Sequence, residues 1–338
     1  MSIFDQLGFT TIDISPDNEI MSVKEGMTLV PLKIDKNKQD DRSALTRDIA
    51  MPEEVRFRGV DRGYGNMAFR NSNSRSSGIV PSNTMVLSRQ SAQDHAMSGP
   101  GIILKSTSKT YSNCCCVQQS QGGYLSEDHE GHVYNVLPLD LRRELLTKSF
   151  RDKNEYGKLW NSISSYISKI PKTKGRGGHL EYFFKPYEKQ MEQFSAHFEP
   201  VPYQIGAVIL FGSEIVGIEI MPTIQHWNYY WKWLIRGCYG SHFLKETLTG
   251  KRFGAIEMPQ LNGDLDDIKR IMDSYMTLFK EMVNNKLSSL QLKQPEHYKK
   301  VGNMSNEIIR ISNSNPRIKS GGDIIVQNNR PIYLSMVV

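Results

Sequence analysis

"QIGAVILFGSEIVGIEIM", residues 204–221, decides the fold. Two apolar, β-branched runs flank Gly212 and Ser213, residue types that suit a tight turn, so the stretch reads as a β-hairpin with a buried face. The segment that follows, "HWNYYWKWLIRGCYGSHFLKETL" (226–248), reads as a helix with aromatics on nearly every side, and a helix apolar all round is a buried one. Trp227, Tyr230, Trp231 and Leu234 recur at helical spacing, which assigns them to core packing rather than to base stacking. Further on, Asn262–Gly263–Asp264 offers a cap for a long amphipathic helix to about Gln291. Its stripe is Leu265, Ile268, Met272, Tyr275, Phe279 and Met282. The chain then returns to strands, "EIIRIS", "DIIVQ" and "PIYLSMV", the last two joined by Asn328–Asn329.

Upstream of the hairpin, "GMTLVPLKI" (26–34) is strand-like, and three short strand-like runs, "TMVLS", "GIILKS" and "NCCCVQ", lie between Thr84 and Val117. Helices are predicted over Leu139–Phe150, over Glu155–Ile170 (Leu159, Ile163, Tyr166, Ile167 and Ile170 at helical spacing), and from Pro186 as a first helical position to His197. There is no internal repeat. The mixed order makes an α+β fold, a mixed or antiparallel sheet packed with several amphipathic helices. With 338 residues the chain can bury a sizeable core, as one large domain over 1–338 or as two fused subdomains. Three basic stretches stand apart: residues 56–82 read as a flexible insertion, 171–179 as a loop and 293–303 as a connector.

The net charge of +6 favours an anionic partner. No apolar run approaches the roughly 18 residues that span a bilayer, and the opening residues lack the pattern of a signal peptide. Four cysteines, three of them consecutive, make no disulfide framework, so a reduced, cytoplasmic protein is expected. Twenty Asn against eight Ala is the bias of an AT-rich genome and suits a phage-encoded protein.

Taken together, "QIGAVILFGSEIVGIEIM" and "WKWLIRGCYGSHF", with "NCCCVQQSQGGY", "EYGKLWNSISSYI" and the terminal "SGGDIIVQNNRPIYLSMVV" in the same order, resemble the ARG-and-rhodanese-phosphatase-superfamily-associated protein family. The resemblance runs from about Met85 to the end, and more weakly over the opening strand. It also marks departures. Where that family tends to carry an acidic residue and Gly-Arg-Trp after the cysteine strand, this chain has Gln118, Gln119 and Gly122-Gly123-Tyr124, and Tyr333 stands where a histidine is usual. The resemblance implies that a site built on those groups is lost here.

Cys114–Cys116, with His129 and His132 beyond, invite a metal or nucleophile reading. Adjacent cysteines on a strand alternate faces, however, and no recognised ligand set completes them, so they read as small buried hydrophobes. Asp264, Asp266 and Asp267 sit at a helix start, where carboxylates cap free N–H groups. Phosphate loops and Ser-His-Asp arrangements are missing. No catalytic residue, metal ligand or cofactor is assigned.

The basic stretches remain. Arg56, Arg58, Arg62, Arg70 and Arg75 are interleaved with Tyr64 and Phe69, so guanidiniums can take phosphates while rings stack on bases. Lys172, Lys174 and Arg176 form a second group, and Lys299, Lys300, Arg317 and Lys319 a third. Groove-reading DNA motifs are missing. The expectation is a non-enzymatic RNA-binding protein that engages host RNA or a ribonucleoprotein, the ribosome with its rRNA and ribosomal proteins foremost. The rival is an enzyme acting on a nucleotide or nucleic-acid end, with a site near Cys116, Glu127, His129 and His132. A third reading is a virion or scaffold protein.

Overall fold

The hairpin read from residues 204–221 lies inside a nine-stranded, wholly antiparallel sheet. Its strands run in the order Ile12–Asp13, Met27–Ile34, Gln204–Phe211, Glu214–Ile220, Arg330–Val337, Gly321–Gln327, Asn306–Ser312 and Glu296–Val301, with Ser22–Lys24 also paired to Met27–Ile34. The computed structural model describes the chain apart from residues 1–2, 14–21, 25, 60–64, 88–93, 113, 120–132, 147–155, 169, 171–172, 174–177, 255, 258, 294–295, 302–305 and 316. Gly212 turns the hairpin with φ +58, a left-handed conformation open to glycine at no steric cost. The Asn328–Asn329 turn uses the same region, at φ 51 and 61, where asparagine is tolerated.

Every residue of Gln204–Phe211 is buried, so the strand has two buried faces rather than one. This explains the unbroken apolar run "AVILF", since a strand covered on both sides has no polar alternation to show. Ala207, Ile209 and Phe211 pack with Met27 and Leu29 against the aromatic helix. Val208 and Leu210 pack on the other face with Val30, Leu32, Phe279, Val283 and Leu287.

The aromatic segment is helical throughout: Ile224–Lys232 continues through a π-helical stretch, Trp233–Gly240, into Ser241–Leu248. Thr223 caps it, its hydroxyl accepting the His226 N–H at 3.2 Å. Trp227, Tyr230, Trp231 and Leu234 are buried, as their spacing predicts. Gly237 lets the helix press on the strand Val133–Val136, where an added Cβ would stand 2.9 Å from the Val136 carbonyl oxygen. The long helix spans Leu265–Ser288, and the Asp264 carboxylate accepts the Asp267 N–H at 2.9 Å, the capping role expected of it. Of the predicted stripe Phe279 alone is fully buried, joined by Val283 and Leu287 four and eight residues on, while Leu265 is exposed.

A four-stranded sheet of Cys115–Cys116, His95–Ala96, Thr84–Leu87 and Val133–Val136 packs with the helices Leu139–Leu145, Tyr156–Ser168 and Glu181–Ser195. Leu159, Ile163, Tyr166, Ile167 and Ile170 are buried there, as predicted. Pro186 does not start its helix. The helix begins at Glu181, because burying Phe183, Phe184 and Tyr187 on one face requires helical backbone before the proline, whose ring stays exposed.

Two of the basic stretches also differ from expectation. Residues 293–303 include the edge strand Glu296–Val301. Residues 56–82 take in two whole strands, Met67–Asn71 and Gly78–Val80, and all but the first residue of a third, Val55–Gly59.

Candidate nucleic-acid interface

Val55–Gly59 and Met67–Asn71 pair antiparallel, and Ser108–Tyr111 joins them as a third strand. "VRF" and "MAFRN" alternate apolar and polar residues, so one face can bury while the other carries charge. Arg56 stands directly opposite Arg70, and Ser108 opposite Arg70 on its other side. Arg58 Nη1 donates to Ser108 Oγ at 3.3 Å, which brings its guanidinium to the same face. Three of the five arginines therefore share one outward face; Arg56 and Arg70 are exposed. Arg75 is exposed too, on a loop held by asparagine side chains: Asn73 Oδ1 accepts the N–H groups of Arg75 and Ser76, and Asn71 Nδ2 donates to the Ser76 carbonyl oxygen. Arg62 and Tyr64 lie outside the described residues.

Phe69 is not an exposed stacking ring. It faces inward opposite Phe57, the two meeting edge-on at 5.5 Å, and is 3% exposed. Below these rings lies a cavity of about 300 Å³, at the lower end of the range for small-ligand sites. Its wall is aromatic: Phe57, Phe69, Tyr134, Tyr229, Tyr230 and Trp233. Tyr134 lies flat on Trp233 at 5.0 Å, while Tyr229 and Tyr230 meet Trp233 edge-on at 5.5 and 4.8 Å. Burial raises the pKa of the Tyr134 and Tyr229 hydroxyls, keeping both protonated as donors. Glu53 and Arg56 also line it, beside Val55, Val80, Pro81 and Thr84. Arg56 Nε donates to the backbone oxygen of Glu53 at 3.4 Å; among the described residues the Glu53 carboxylate itself has no hydrogen-bond or ion-pair partner.

Sequence reasoning missed Glu53, Tyr134, Tyr229 and Trp233. The signal for the last two was present: Tyr229 and Trp233 are four apart and lie off the buried Trp227–Tyr230–Trp231–Leu234 stripe, so they share a second helical face. Among the described residues, neither Arg317 nor Lys319 lines this cavity. Lys172, Lys174 and Arg176 lie outside the described residues. Lys299 and Lys300 lie on the edge strand, and Arg317 and Lys319 are exposed on the connection before Gly321–Gln327, with Lys319 paired to Glu144 at 2.6 Å.

Other polar centres suit chemistry less well. The three consecutive cysteines are buried, and Cys115 packs in a different cluster from Cys114. Burial pushes Cys115 up to about 12, so it is a thiol and a poor nucleophile at neutral pH. Cys116 Sγ lies 2.9 Å from the Gln118 carbonyl oxygen; Glu127, His129 and His132 lie outside the described residues. Asp140, His242 and Glu246 converge as metal ligands would, but the Lys245 ammonium stands between the carboxylates, 2.6 Å from Asp140 and 2.8 Å from Glu246. Although burial pushes the Asp140 carboxyl up, His242 and Lys245 hold it well below the usual carboxylate range.

Deeper still, Arg142 donates to Glu219 (2.6 Å), Ser335 (2.6 Å) and Asn83 (3.2 Å), and Tyr239 donates to Glu219 (2.6 Å). Tyr333 lies nearby, its hydroxyl accepting the Ser82 N–H at 2.7 Å. The cavity beside Arg142 and Ser335 is about 10 Å³, room for one water. A third cavity, of about 260 Å³ around Met191, Phe194 and Phe243, has neither arginine nor carboxylate in its lining. Of the three, the aromatic cavity alone joins space for a ligand to a charged face.

Among the described residues, no helix is long and apolar enough to cross a membrane. The model of the ARPP-1 family, the ARG and Rhodanese-Phosphatase-superfamily-associated Protein domain, matches residues 19–311. The match takes in the arginine hairpin, which the resemblance read from sequence left out, and stops before the last two strands. No curated protein and no solved structure matches the chain.

Proposed function

The chain belongs to the ARG and Rhodanese-Phosphatase-superfamily-associated protein family, and for this member we propose binding of single-stranded RNA. One base enters the aromatic cavity, and the backbone on either side runs over the arginine face. The observation that carries this reading is the junction of the two: Arg56 lines the cavity and stands opposite Arg70 on the exposed face. An unpaired base offers a π-face to Trp233, Tyr134 or Tyr229, and its neighbouring phosphates then meet guanidiniums. Duplex DNA suits the site poorly, since a base must leave its stack to enter. Bacterial ribosomal RNA in the cytoplasm, rich in looped-out bases, is the abundant candidate, and the asparagine-rich, alanine-poor composition supports a phage as the source of the gene.

The test is a titration of short unstructured RNA into the protein, followed by tryptophan fluorescence at several salt concentrations. Each phosphate neutralised contributes about 0.7 to the slope of log affinity against log salt for a single strand, so Arg56→Ala/Arg70→Ala flattens it by about 1.4. Trp233→Ala removes stacking worth about 1–3 kcal/mol, roughly five- to 150-fold in affinity. Unaltered slope and affinity in these variants, with unaltered thermal stability, would overturn the assignment of the site.

A further inference from the structure

A carboxylate at the mouth of a phosphate-binding face is out of place electrostatically, because it repels the backbone that the arginines attract. Glu53 is such a group. It lies on the turn Pro52–Glu54, lines the aromatic cavity, and its charge is felt at the hydroxyls of Tyr229 and Tyr230, where burial is the larger influence. Glu53 is exposed and no described residue donates to its carboxylate, so two acceptor oxygens stand open at the edge of a cavity walled by rings.

A ligand that complements two adjacent acceptors must offer two adjacent N–H donors beside a flat π-face. Among the four RNA bases, guanine alone does so, through N1–H and the N2 amino group on its Watson–Crick edge. Adenine and cytosine each present one amino group next to a ring acceptor, which would set a lone pair against the carboxylate. Uracil presents one N–H between two carbonyl oxygens. We infer that Glu53 makes the cavity a guanine-selective site, its carboxylate accepting N1–H and N2–H while the base stacks in the aromatic wall. This rests on the RNA-binding reading and adds base identity to it. A bidentate contact of this kind separates the right base from a wrong one by roughly five- to 150-fold.

The experiment uses the full chain and five RNA pentamers, four carrying A, C, G or U at the centre of an otherwise adenine strand and one carrying inosine, with affinities read from tryptophan fluorescence. Inosine keeps N1–H and lacks the N2 amino group. The expected order is G tightest, inosine intermediate, and A, C and U together at the bottom. Glu53→Gln, which replaces one acceptor by a donor, is expected to bring the G pentamer level with the rest. Equal binding of all pentamers by the parent protein would overturn guanine selection and leave RNA binding standing. Selection of G that survives Glu53→Gln would overturn the role of Glu53. Failure of every pentamer to bind would overturn both readings.

Discussion

Removing the Glu219 side chain tests how the centre of the molecule is held. Arg142 is 3% exposed and Glu219 fully buried, and their 2.6 Å contact joins the helix Leu139–Leu145 to the central sheet. Burial alone would drive Arg142 toward its neutral form, but the Glu219 carboxylate keeps it charged. Glu219→Ala leaves that cation in a low-dielectric interior with only neutral partners, a change that costs about 3–5 kcal/mol. With an unfolding entropy of about 2.1 cal/mol/K per residue over 338 residues, 4 kcal/mol lowers the midpoint by about 6 °C. The assay is thermal unfolding followed by circular dichroism, with calorimetry to check that one transition is observed. Arg142→Met/Glu219→Leu, which removes both charges and keeps apolar volume, is expected to recover most of the loss. A midpoint within about 1 °C of the parent for Glu219→Ala, or a double variant as unstable as the single one, would refute the reasoning.

Two further outcomes follow from the same interior. His226 is buried and lowered to about 4, chiefly by burial, so between pH 6.5 and 4 the unfolded chain binds a proton that the native chain does not. Stability should therefore fall by about 3 kcal/mol as pH drops through that window, and denaturant midpoints of His226→Gln should follow pH less steeply; parallel curves would dismiss the assignment. Gly217→Ala would set a Cβ 2.0 Å from the Tyr239 hydroxyl and push it off Glu219, with an expected loss of about 1–3 kcal/mol in chemical denaturation; full stability would mean that Tyr239 can shift freely.

The parts of the fold that were legible in the sequence are those where one physical signal dominates. The continuous apolar run Ala207–Phe211, the helical spacing Leu159–Ile163–Tyr166–Ile170 and the Asp264 cap each state a local preference that the tertiary structure reinforces. Where two preferences compete, the reading failed. Pro186 is a good helix starter, but the burial of Phe183 and Phe184 recruits the preceding turn into the helix. The arginine hairpin looked structureless because Gly, Asn and Ser dominate its composition, although Val55 and Phe57, and Met67 and Phe69, repeat at strand spacing and Phe57 faces Phe69 across the ladder. The cavity was harder still. Glu53, Tyr134 and Trp233 come from a turn, a strand and a helix far apart in sequence, and no local pattern announces that three such elements will meet.

The strand Arg330–Val337 lies in the interior of the nine-stranded sheet, between Glu214–Ile220 and Gly321–Gln327. During synthesis all the other strands leave the exit tunnel before it does. Until it arrives, those two neighbours each expose an unpaired backbone edge, the kind of surface that seeds aggregation. The sheet therefore closes only after this strand is translated, and its pairing with Glu214–Ile220, distant in sequence, comes late. A nascent chain stalled shortly before residue 330 still lacks the strand that joins Glu214–Ile220 to Gly321–Gln327.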